Sequence, residues 1–281
     1  MSYKPMLAKP FNIEKFKKYP VGISPKLDGV RCLAFLEDNE DEVILQSRTG
    51  KEFKFKEHIR DILYEILEED IVLDGELYTH GLSFSNIIRL VMPKKNKPRD
   101  EERLHYYIFD CFGDGIKDYT YEERVDYLME LKKKLTKKEL EYIKFVDYEI
   151  AETEDDVIDL HDKYAGKRYE GVMVRILDSV YQNKRSSSLM KYKNFKDDEF
   201  EVVDFEEGTG KDKGAIIFIV QYDEKRTFKV RPSETLTKRK QMYKKGSSYI
   251  GKMYTVRYQP DPISDDNLPR FPVGVAFRDY E

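Results

Sequence analysis

The chain has 281 residues, of which 40% are hydrophobic and 37% are charged, and its formal net charge is −4. This length and apolar content suffice for one large or two ordinary globular domains. The nearly balanced charge argues against binding nucleic acid through a uniformly basic surface, and no apolar run reaches the roughly 18 residues that a membrane-crossing helix needs.

The cysteines and the N-terminus bear on where the protein works. Cys32 and Cys111 lie in apolar, strand-like surroundings, so we expect buried reduced thiols rather than a disulfide framework or a cysteine metal site. The first residues contain no apolar core of a signal peptide. These features predict a soluble intracellular protein without a membrane partner.

The most informative cluster near the N-terminus is Lys26-Leu27-Asp28-Gly29-Val30-Arg31. A lysine amine becomes a nucleophile when nearby cations or partial burial favour its neutral form. Asp28 can orient that amine or bind a metal, and Gly29 lets the backbone approach a ligand closely. Arg31 adds a planar fork of donors. The combination is typical of a site that binds a polyphosphate.

Strands and helices are predicted to alternate through the following part of the chain. Apolar, β-favouring runs predict strands at Val30–Leu36, Val43–Ser47, 71–77, 107–110, 143–148 and Gly171–Ile176. Apolar residues at helical spacing predict helices at 59–67, 84–92, 121–135 and 153–164. Thr153 with Asp156 three residues later is a variant of the capping box at the start of the last helix.

Five further motifs follow the Lys26 cluster in order. They are Ser47-Arg48-Thr49-Gly50, Leu73-Asp74-Gly75-Glu76-Leu77-Tyr78, Tyr107-Ile108-Phe109-Asp110, Glu170-Gly171-Val172-Met173-Val174-Arg175 and Leu189-Met190-Lys191-Tyr192-Lys193. Side chains alternate across a strand, so Lys191 and Lys193 should present both ammonium groups on one face. Each motif alone is weak, but six in one order within a single domain are a strong signal.

After Lys193 the pattern changes to short strands. They are predicted at 200–205, 215–221, 227–230, 254–258 and 273–277, with one basic, helix-like stretch at 233–245. Five short strands and one helix indicate a small barrel of the OB type, a fold that commonly binds oligonucleotides. Residues 211–252 contain twelve basic and four acidic side chains, a balance that suits phosphate binding.

The six motifs together resemble those of the covalent nucleotidyltransferase superfamily, and their wording is most similar to that of ATP-dependent DNA ligases in a minimal two-domain form. The similarity extends from Met6 to Arg278. It implies an α+β fold, with a nucleotidyltransferase (adenylation) domain of antiparallel sheets and flanking helices over residues 1–194. A small OB-fold β-barrel would follow over residues 195–281.

The resemblance implies an ATP-dependent DNA ligase that seals 5′-phosphate/3′-hydroxyl nicks in duplex DNA. Lys26 would attack the α-phosphate of ATP, hold the adenylate as lysyl-AMP and pass it to the 5′-phosphate, from which the 3′-hydroxyl displaces it. The implied cofactors are ATP and Mg²⁺ (or Mn²⁺), and the implied partner is nicked duplex DNA. We expect a monomer in the cytoplasm or, for a viral protein, inside the host cell.

By the same resemblance, the catalytic residues are Lys26, Lys191, Lys193 and Asp28. The two lysines of the K-x-K motif would hold the α-phosphate beside Lys26. Glu170 would bind the divalent metal, with Asp28 as its helper, because magnesium prefers a few carboxylates together with phosphate oxygens and water.

Further roles concern the nucleotide and the DNA. Glu76 would contact the ribose, and Arg31 would contact a sugar or a phosphate. Phe109 would stack on adenine, with Tyr107 on the same strand face as the second choice. Arg48 would bind the 5′-phosphate of the nick, for which a bidentate guanidinium suits better than an ammonium group.

The chain's last motif, around Phe277-Arg278-Asp279, resembles the one that meets the β- and γ-phosphates in ligases. Arg278 is the expected contact, although Tyr280 stands where the family often has a lysine. The basic stretch at 238–245 and the loop at 94–99 are candidates for additional duplex contacts. Two other functions stay open: an RNA ligase or mRNA-capping guanylyltransferase of the same superfamily, and a nonenzymatic nucleic-acid binder with a decayed transferase domain.

Overall fold

The computed structural model of the protein describes residues 2–37, 42–93, 95–193, 195–259 and 268–277. The chain divides into two compact units, Met1–Lys193 and Asn194–Glu281. None of the helices within the described ranges has both the length and the apolar character needed to cross a membrane.

The strands of the first unit are β1 (Leu7–Pro10), β2 (Val21–Pro25), β3 (Val30–Leu36), β4 (Val43–Ser47), β5 (Ile71–Tyr78), β6 (His105–Gly113), β7 (Ile143–Phe145), β8 (Glu149–Ala151), β9 (Gly171–Ile176) and β10 (Arg185–Lys193). Its helices are α1 (Glu57–Tyr64), α2 (Phe84–Val91), α3 (Tyr121–Lys133) and α4 (Glu154–Gly166). The second unit contains β11 (Lys196–Glu207), β12 (Ile216–Gln221), β13 (Thr227–Pro232), α5 (Leu236–Tyr243), β14 (Met253–Gln259) and β15 (Arg270–Phe277).

Two five-stranded sheets form the first unit. The first sheet has the order β1-β10-β9-β2-β8, and the second sheet has the order β4-β3-β5-β6-β7. Their strands pair antiparallel except at β1 with β10 and at β6 with β7. In the second unit, β11-β12-β13-β15-β14 close into a barrel. The predicted α+β fold, with largely antiparallel sheets, flanking helices and a small barrel, is confirmed.

Helices α3, α4 and α5 each begin after a threonine whose side chain caps the first turn. At α4 the Thr153 hydroxyl accepts a hydrogen bond from the Asp156 amide at 3.2 Å, and the Asp156 carboxylate accepts one from the Thr153 amide at 2.9 Å. This reciprocal pair satisfies two backbone donors that a helix start leaves unpaired. Thr120 and Glu123 form the same box at α3, which the sequence analysis did not identify.

The second sheet contains a bulge at the position that matters for the site. Pairing between β5 and β6 passes from Asp74 opposite Asp110 to Gly75 opposite Ile108, so Phe109 has no partner in β5. Such an extra residue bends the strand and re-aims its side chain. Gly75 permits the close approach, since a Cβ there would lie 2.4 Å from the carbonyl oxygen of Tyr107.

We therefore expect Gly75→Ala to lower the free energy of unfolding by about 1–3 kcal/mol, because the added methyl group meets backbone and forces the bulge to shift. Urea unfolding measures the effect. Gly115→Ala is the matched control, since a Cβ at Gly115 would have no neighbour within 4 Å. Equal stability of the two variants would contradict the packing argument.

Candidate active site

A cavity of about 210 Å³ in the first unit is lined by residues of both sheets. From the first sheet come Leu7, Ala8, Ser24, Pro25, Met173, Arg175, Arg185, Leu189 and Lys191; from the second sheet come Arg31, Glu76 and Phe109; the segments that follow β2 and β4 add Lys26, Leu27 and Arg48. Five of the residues singled out for nucleotide or phosphate chemistry in the sequence therefore meet at one cavity with Lys26.

Lys26 is ion-paired at the edge of this cavity. Its ammonium group donates a hydrogen bond to Oε2 of Glu170, and the ammonium group of Lys193 lies 2.5 Å from Oε1 of the same carboxylate. Burial raises the pKa of Glu170, but the charges and hydrogen bonds of Lys26 and Lys193 outweigh it and hold the pKa below its usual value. The carboxylate therefore stays ionised between two cations.

Backbone pairing brings these three side chains together. The Lys26 amide donates to the Gly171 carbonyl at 2.8 Å, and the Glu170 amide donates to the Lys26 carbonyl at 3.2 Å. Gly171 has φ +143, and a Cβ there would lie 2.3 Å from the carbonyl oxygen of Tyr192. Only glycine fits this close approach of β9 to β10.

Lys191 lines the cavity two residues before Lys193, as the predicted strand alternation requires. Burial, with the like charges of Lys193 and Lys26, lowers the pKa of Lys191. An anion bound between these ammonium groups would relieve their repulsion. This donor set fits a polyphosphate.

Glu76 is the acidic side chain in the cavity wall. One of its oxygens accepts a hydrogen bond from the Gly29 amide at 3.1 Å, and the residue lies opposite Arg31 in the pairing of β3 with β5. Burial raises the pKa of Glu76 to about 7, against the opposing effects of Lys26 and Arg31. Near neutral pH this carboxyl group can therefore either donate or accept a hydrogen bond.

Arg31 is held in place by the buried carboxylate of Asp74. Its Nε and Nη2 each donate to Asp74 at 2.5 Å, and Nη2 also donates to the Met6 carbonyl at 3.1 Å. The Tyr181 hydroxyl donates to the same Asp74 carboxylate at 2.5 Å. The guanidinium that the sequence assigned to a sugar or phosphate is thus also part of the cavity's framework.

Two arginines lie near the ring of Phe109. The guanidinium carbon of Arg31 is 4.8 Å from the ring centroid, and that of Arg175 is 5.6 Å away. Arg175 in turn donates to Asp110 at 2.6 Å, and its buried Nε has no acceptor within the described residues. A cavity with an aromatic face and a spare buried donor fits a nucleotide base.

Tyr107, the second choice for the stacking ring, is not among the residues that line the cavity. It packs edge-on against Tyr78, with ring centroids 5.3 Å apart. The sequence analysis quoted Met173 and Arg175 within a motif but gave them no role, although both line the cavity. In the sequence, the available signal for Arg175 was its charge within an otherwise apolar strand.

Arg48 lies at the tip of the turn that follows β4. The Gly50 amide donates to the Ser47 carbonyl at 2.9 Å and closes this turn. Arg48 is exposed and lines both the cavity and an adjoining groove formed by the turn and α2. Its side chain forms no hydrogen bond or ion pair with the part of the chain that the structure describes. It is therefore available to a ligand at the rim.

Two further predicted site residues are Asp28 and Arg278. Asp28 is not among the residues that line the cavity. Burial is the largest cause of the raised pKa of Tyr78, and the charge of Asp28 adds to it. Arg278 lies outside the described residues. Across the described ranges, histidine, cysteine, aspartate and glutamate nowhere form a group of three or more able to hold a metal. A metal here would need phosphate oxygens and water beside one or two carboxylates, which is the usual arrangement for Mg²⁺.

Comparisons with known proteins identify the family of the chain. The family model described as "ATP dependent DNA ligase domain" matches residues 5–193. A DNA ligase of African swine fever virus is 31% identical over 294 aligned residues, covering 98% of this chain and 68% of the viral protein.

Two solved structures are similar over almost the whole chain. The Chlorella virus DNA ligase-adenylate is 26% identical, with a TM-score of 0.55 and complete coverage of both chains. A structure from a study of DNA binding by Lig E DNA ligases with a minimal scaffold has a TM-score of 0.79 and covers 99% of this chain and all of its own. At 20% identity, that second likeness shows the fold alone. The chain belongs to the family of ATP-dependent DNA ligases, the enzymes that join DNA ends.

Proposed function

We propose that this ligase seals nicks in duplex DNA, joining a 5′-phosphate to a 3′-hydroxyl through an adenylate carried on Lys26. The observation that carries the proposal is the position of Lys26, whose ammonium group contacts the Glu170 carboxylate at the edge of a cavity with Lys191 and Lys193 nearby. Among the lysines of the site, it alone has both a carboxylate partner and a place in the cavity wall.

Joining a phosphate to a hydroxyl needs a leaving group on the phosphate, and adenylate supplies one. The reaction therefore depends on positioning and on neutralising charge. Lys191 and Lys193 would hold the α-phosphate against Lys26 as Lys26 displaces pyrophosphate. The Lys26 ammonium must release a proton to water before attack, and the adjacent Glu170 carboxylate, which stays ionised, would orient the amine.

The nucleotide would occupy the cavity with its base against Phe109. Met173, from the opposite sheet, offers a second apolar surface, and Nε of Arg175 offers a donor for a ring nitrogen. Glu76 would bind the ribose hydroxyls, since a carboxyl group with a pKa of about 7 can accept or donate there. Arg31, which lies near the Phe109 ring, would then use its remaining donors to bind the sugar or a phosphate.

For the divalent cation, Mg²⁺ or Mn²⁺, we propose Glu170 as the main protein ligand, with Asp28 acting through water. When bound, such a cation neutralises charge on the phosphates. Arg48 would bind the 5′-phosphate at the rim, where its exposed guanidinium adjoins the groove beside α2. Arg278 stays a prediction for the β- and γ-phosphates.

We also propose that residues 1–194 are the adenylation domain and residues 195–281 the OB-fold domain, and that the enzyme acts as a monomer. The family model ends at residue 193, and the barrel strands follow from residue 196, which supports this division. The intracellular setting likewise stays a prediction.

Lys26→Ala should abolish covalent labelling by radioactive ATP and with it the sealing of a nicked duplex. Lys26 is the amine proposed to carry adenylate, and its removal leaves Glu170 still paired with Lys193. Intact-protein mass spectrometry after incubation with ATP and magnesium measures the adduct. Lys17→Ala, at an exposed position, is the control and should label normally.

Labelling of the Lys26→Ala variant to the wild-type level would overturn the proposed nucleophile. Parallel reactions with radioactive GTP test the capping alternative, because labelling by GTP alone would indicate a guanylyltransferase. Nicks with RNA on either side of the break separate an RNA ligase from a DNA ligase.

Arg48→Ala should separate two steps of the reaction. The variant should form the enzyme adenylate at a near-normal level but transfer it to the 5′-phosphate at least about tenfold more slowly, since a lost bidentate contact to phosphate amounts to roughly 1.5–3 kcal/mol. Single-turnover assays with preformed enzyme adenylate and nicked DNA measure the transfer. Arg48→Lys, which keeps the charge without the fork, should be intermediate. Equal loss of both steps would argue for a general defect instead.

Glu76 should make stability depend on pH in a predictable direction. Its pKa is raised in the folded protein, so its contribution to stability is present in full at acid pH and is lost as pH rises through about 7. The melting temperature of the wild type should therefore fall relative to that of Glu76→Gln between pH 5 and pH 8. The exposed Glu14→Gln serves as the control. A difference that stays constant with pH would contradict the assignment.

A further inference from the structure

Tyr181 lies in the segment between β9 and β10 and takes no part in the reaction just described. Its partly buried side chain stacks on Phe112 of β6, with ring centroids 4.4 Å apart and ring planes inclined by 18°. The guanidinium carbon of Arg124 lies 5.6 Å from the Tyr181 centroid. Because stacked aromatic groups pack in a specific geometry, the Tyr181 hydroxyl group has a defined position.

The Tyr181 hydroxyl group completes a closed cycle of hydrogen bonds. It donates to Oδ2 of Asp74 at 2.5 Å and accepts from the Met6 amide at 2.7 Å. Nη2 of Arg31 donates to the same Oδ2 at 2.5 Å and to the Met6 carbonyl at 3.1 Å. We call this set the hydrogen-bond cycle; its members are Met6, Arg31, Asp74 and Tyr181.

The hydrogen-bond cycle joins the two sheets at the wall of the nucleotide cavity. Met6 directly precedes β1, and the first two residues of that strand, Leu7 and Ala8, line the cavity. Arg31 belongs to β3 of the second sheet and lines the same cavity. A change at Tyr181 would therefore reach the cavity from both sheets.

The cycle also decides which donors Arg31 can offer to a ligand. A guanidinium group has five N–H donors in a fixed plane. Nε donates to Oδ1 of Asp74 at 2.5 Å, and Nη2 is occupied by Asp74 and the Met6 carbonyl. Nη1 has no hydrogen-bond partner within the ranges that the structure describes. Arg31 can therefore offer a nucleotide the two donors of Nη1, in a direction that the cycle fixes.

The hydroxyl group keeps its proton under working conditions. Burial is the largest cause of the raised pKa of Tyr181, and the charge of Asp74 raises this pKa further. Tyr181 therefore donates to Asp74 throughout the neutral pH range. Without this hydroxyl group, Oδ2 of Asp74 would lose one of its two donors and the Met6 amide would lose its acceptor, and unpaired polar groups in such a place are costly.

We propose that Tyr181 is a positioning residue for the nucleotide, because its hydroxyl group fixes Arg31 and the start of β1 and so aims the Nη1 donors at the sugar or a phosphate of ATP. Tyr181 itself is not among the residues that line the cavity. This inference rests on the proposed function, since it concerns the binding of ATP at the same cavity. It gives a role to a side chain outside the six sequence motifs.

Tyr181→Phe tests the proposal, because it removes the hydroxyl group and keeps the stacked ring. The KM for ATP in the formation of the Lys26 adduct should rise about tenfold, while kcat for this step stays within about twofold, since a binding contact is misdirected and the reacting groups are unchanged. Initial rates with radioactive ATP and magnesium measure both constants. The Kd of α,β-methylene-ATP, measured by isothermal titration calorimetry, should rise by the same factor.

Tyr106→Phe is the matched control. The buried Tyr106 hydroxyl group donates to the carbonyl groups of Cys32 and Leu73 at 3.0 Å each, and these residues are the chain neighbours of Arg31 and Asp74. This control also loses a buried hydroxyl group, so its melting temperature should fall, but its KM and Kd should stay within about twofold of the wild type. Equal rises in both variants, or no rise in Tyr181→Phe, would overturn the proposal.

Two further arms keep the test decisive. If Tyr181→Phe does not fold, Tyr181→4-aminophenylalanine, which keeps a donor towards Asp74, should retain the wild-type KM and Kd, and a tenfold rise there would refute the inference. Calorimetry requires no reaction at Lys26. A wild type that binds the analogue but forms no adduct would therefore refute the proposed function and leave the role of Tyr181 to be decided by the Kd values.

Discussion

The close approach of three strands around Gly171 determines what the site can do. The segment after β2 pairs with the start of β9, and β9 pairs with β10, at a spacing that leaves no room for a side chain at Gly171. Lys26, Glu170 and Lys193 come from segments far apart in the sequence, yet this backbone contact places their charged ends within hydrogen-bond distance. Ion pairing then stabilises this arrangement, because each ammonium group contacts a different oxygen of the Glu170 carboxylate. Lys26 is consequently held in place by main-chain geometry.

Beneath the cavity, buried ion pairs set the shape of the nucleotide site. Asp74 holds Arg31, and Asp110 holds both Arg175 and Arg124, whose Nε lies 2.6 Å from that carboxylate. Removing one member of a buried pair typically costs about 3–5 kcal/mol, since its partner is left charged and unpaired. Such a framework is stiff, and two of its arginines, Arg31 and Arg175, lie near the ring of Phe109. The cavity is therefore shaped before any nucleotide enters.

Many strands and helices could be predicted from the sequence, and the predictions of their bounds that failed did so for physical reasons. The bounds of β3 and β4 were predicted correctly, and α2 ends one residue earlier than predicted. The strand predicted at 143–148 ends at Phe145 as β7, and the next strand, β8, begins at Glu149 in the other sheet, because alternation cannot show where a chain changes sheet. The β11 strand begins at Lys196, four residues before the prediction, because its first residues are charged and lack apolar alternation. They pair with β14 through the backbone and through the ion pair of Asp197 with Arg257.

Predictions of the site residues were limited in a similar way, because local sequence patterns do not show which distant residues meet. Local motifs predicted six of the residues that line the cavity, namely Lys26, Arg31, Arg48, Glu76, Phe109 and Lys191. They could not reveal which carboxylate holds which arginine. Asp74 and Asp110 stood in quoted motifs without a role, because nothing near Asp110 in the sequence indicates Arg175 65 residues away. The cysteines are free and buried, as expected.

The pairing of β1 with β10 has a consequence for how the protein is made. The second sheet draws its strands from residues 30–145 and can assemble once that length has left the ribosome. The first sheet needs both ends of the unit, because β1 and β2 find their neighbours only in β8, β9 and β10. Long-range pairing of this kind forms slowly. During synthesis the second sheet can therefore form while Lys26 still lacks its carboxylate partner, because Glu170 follows later in the chain.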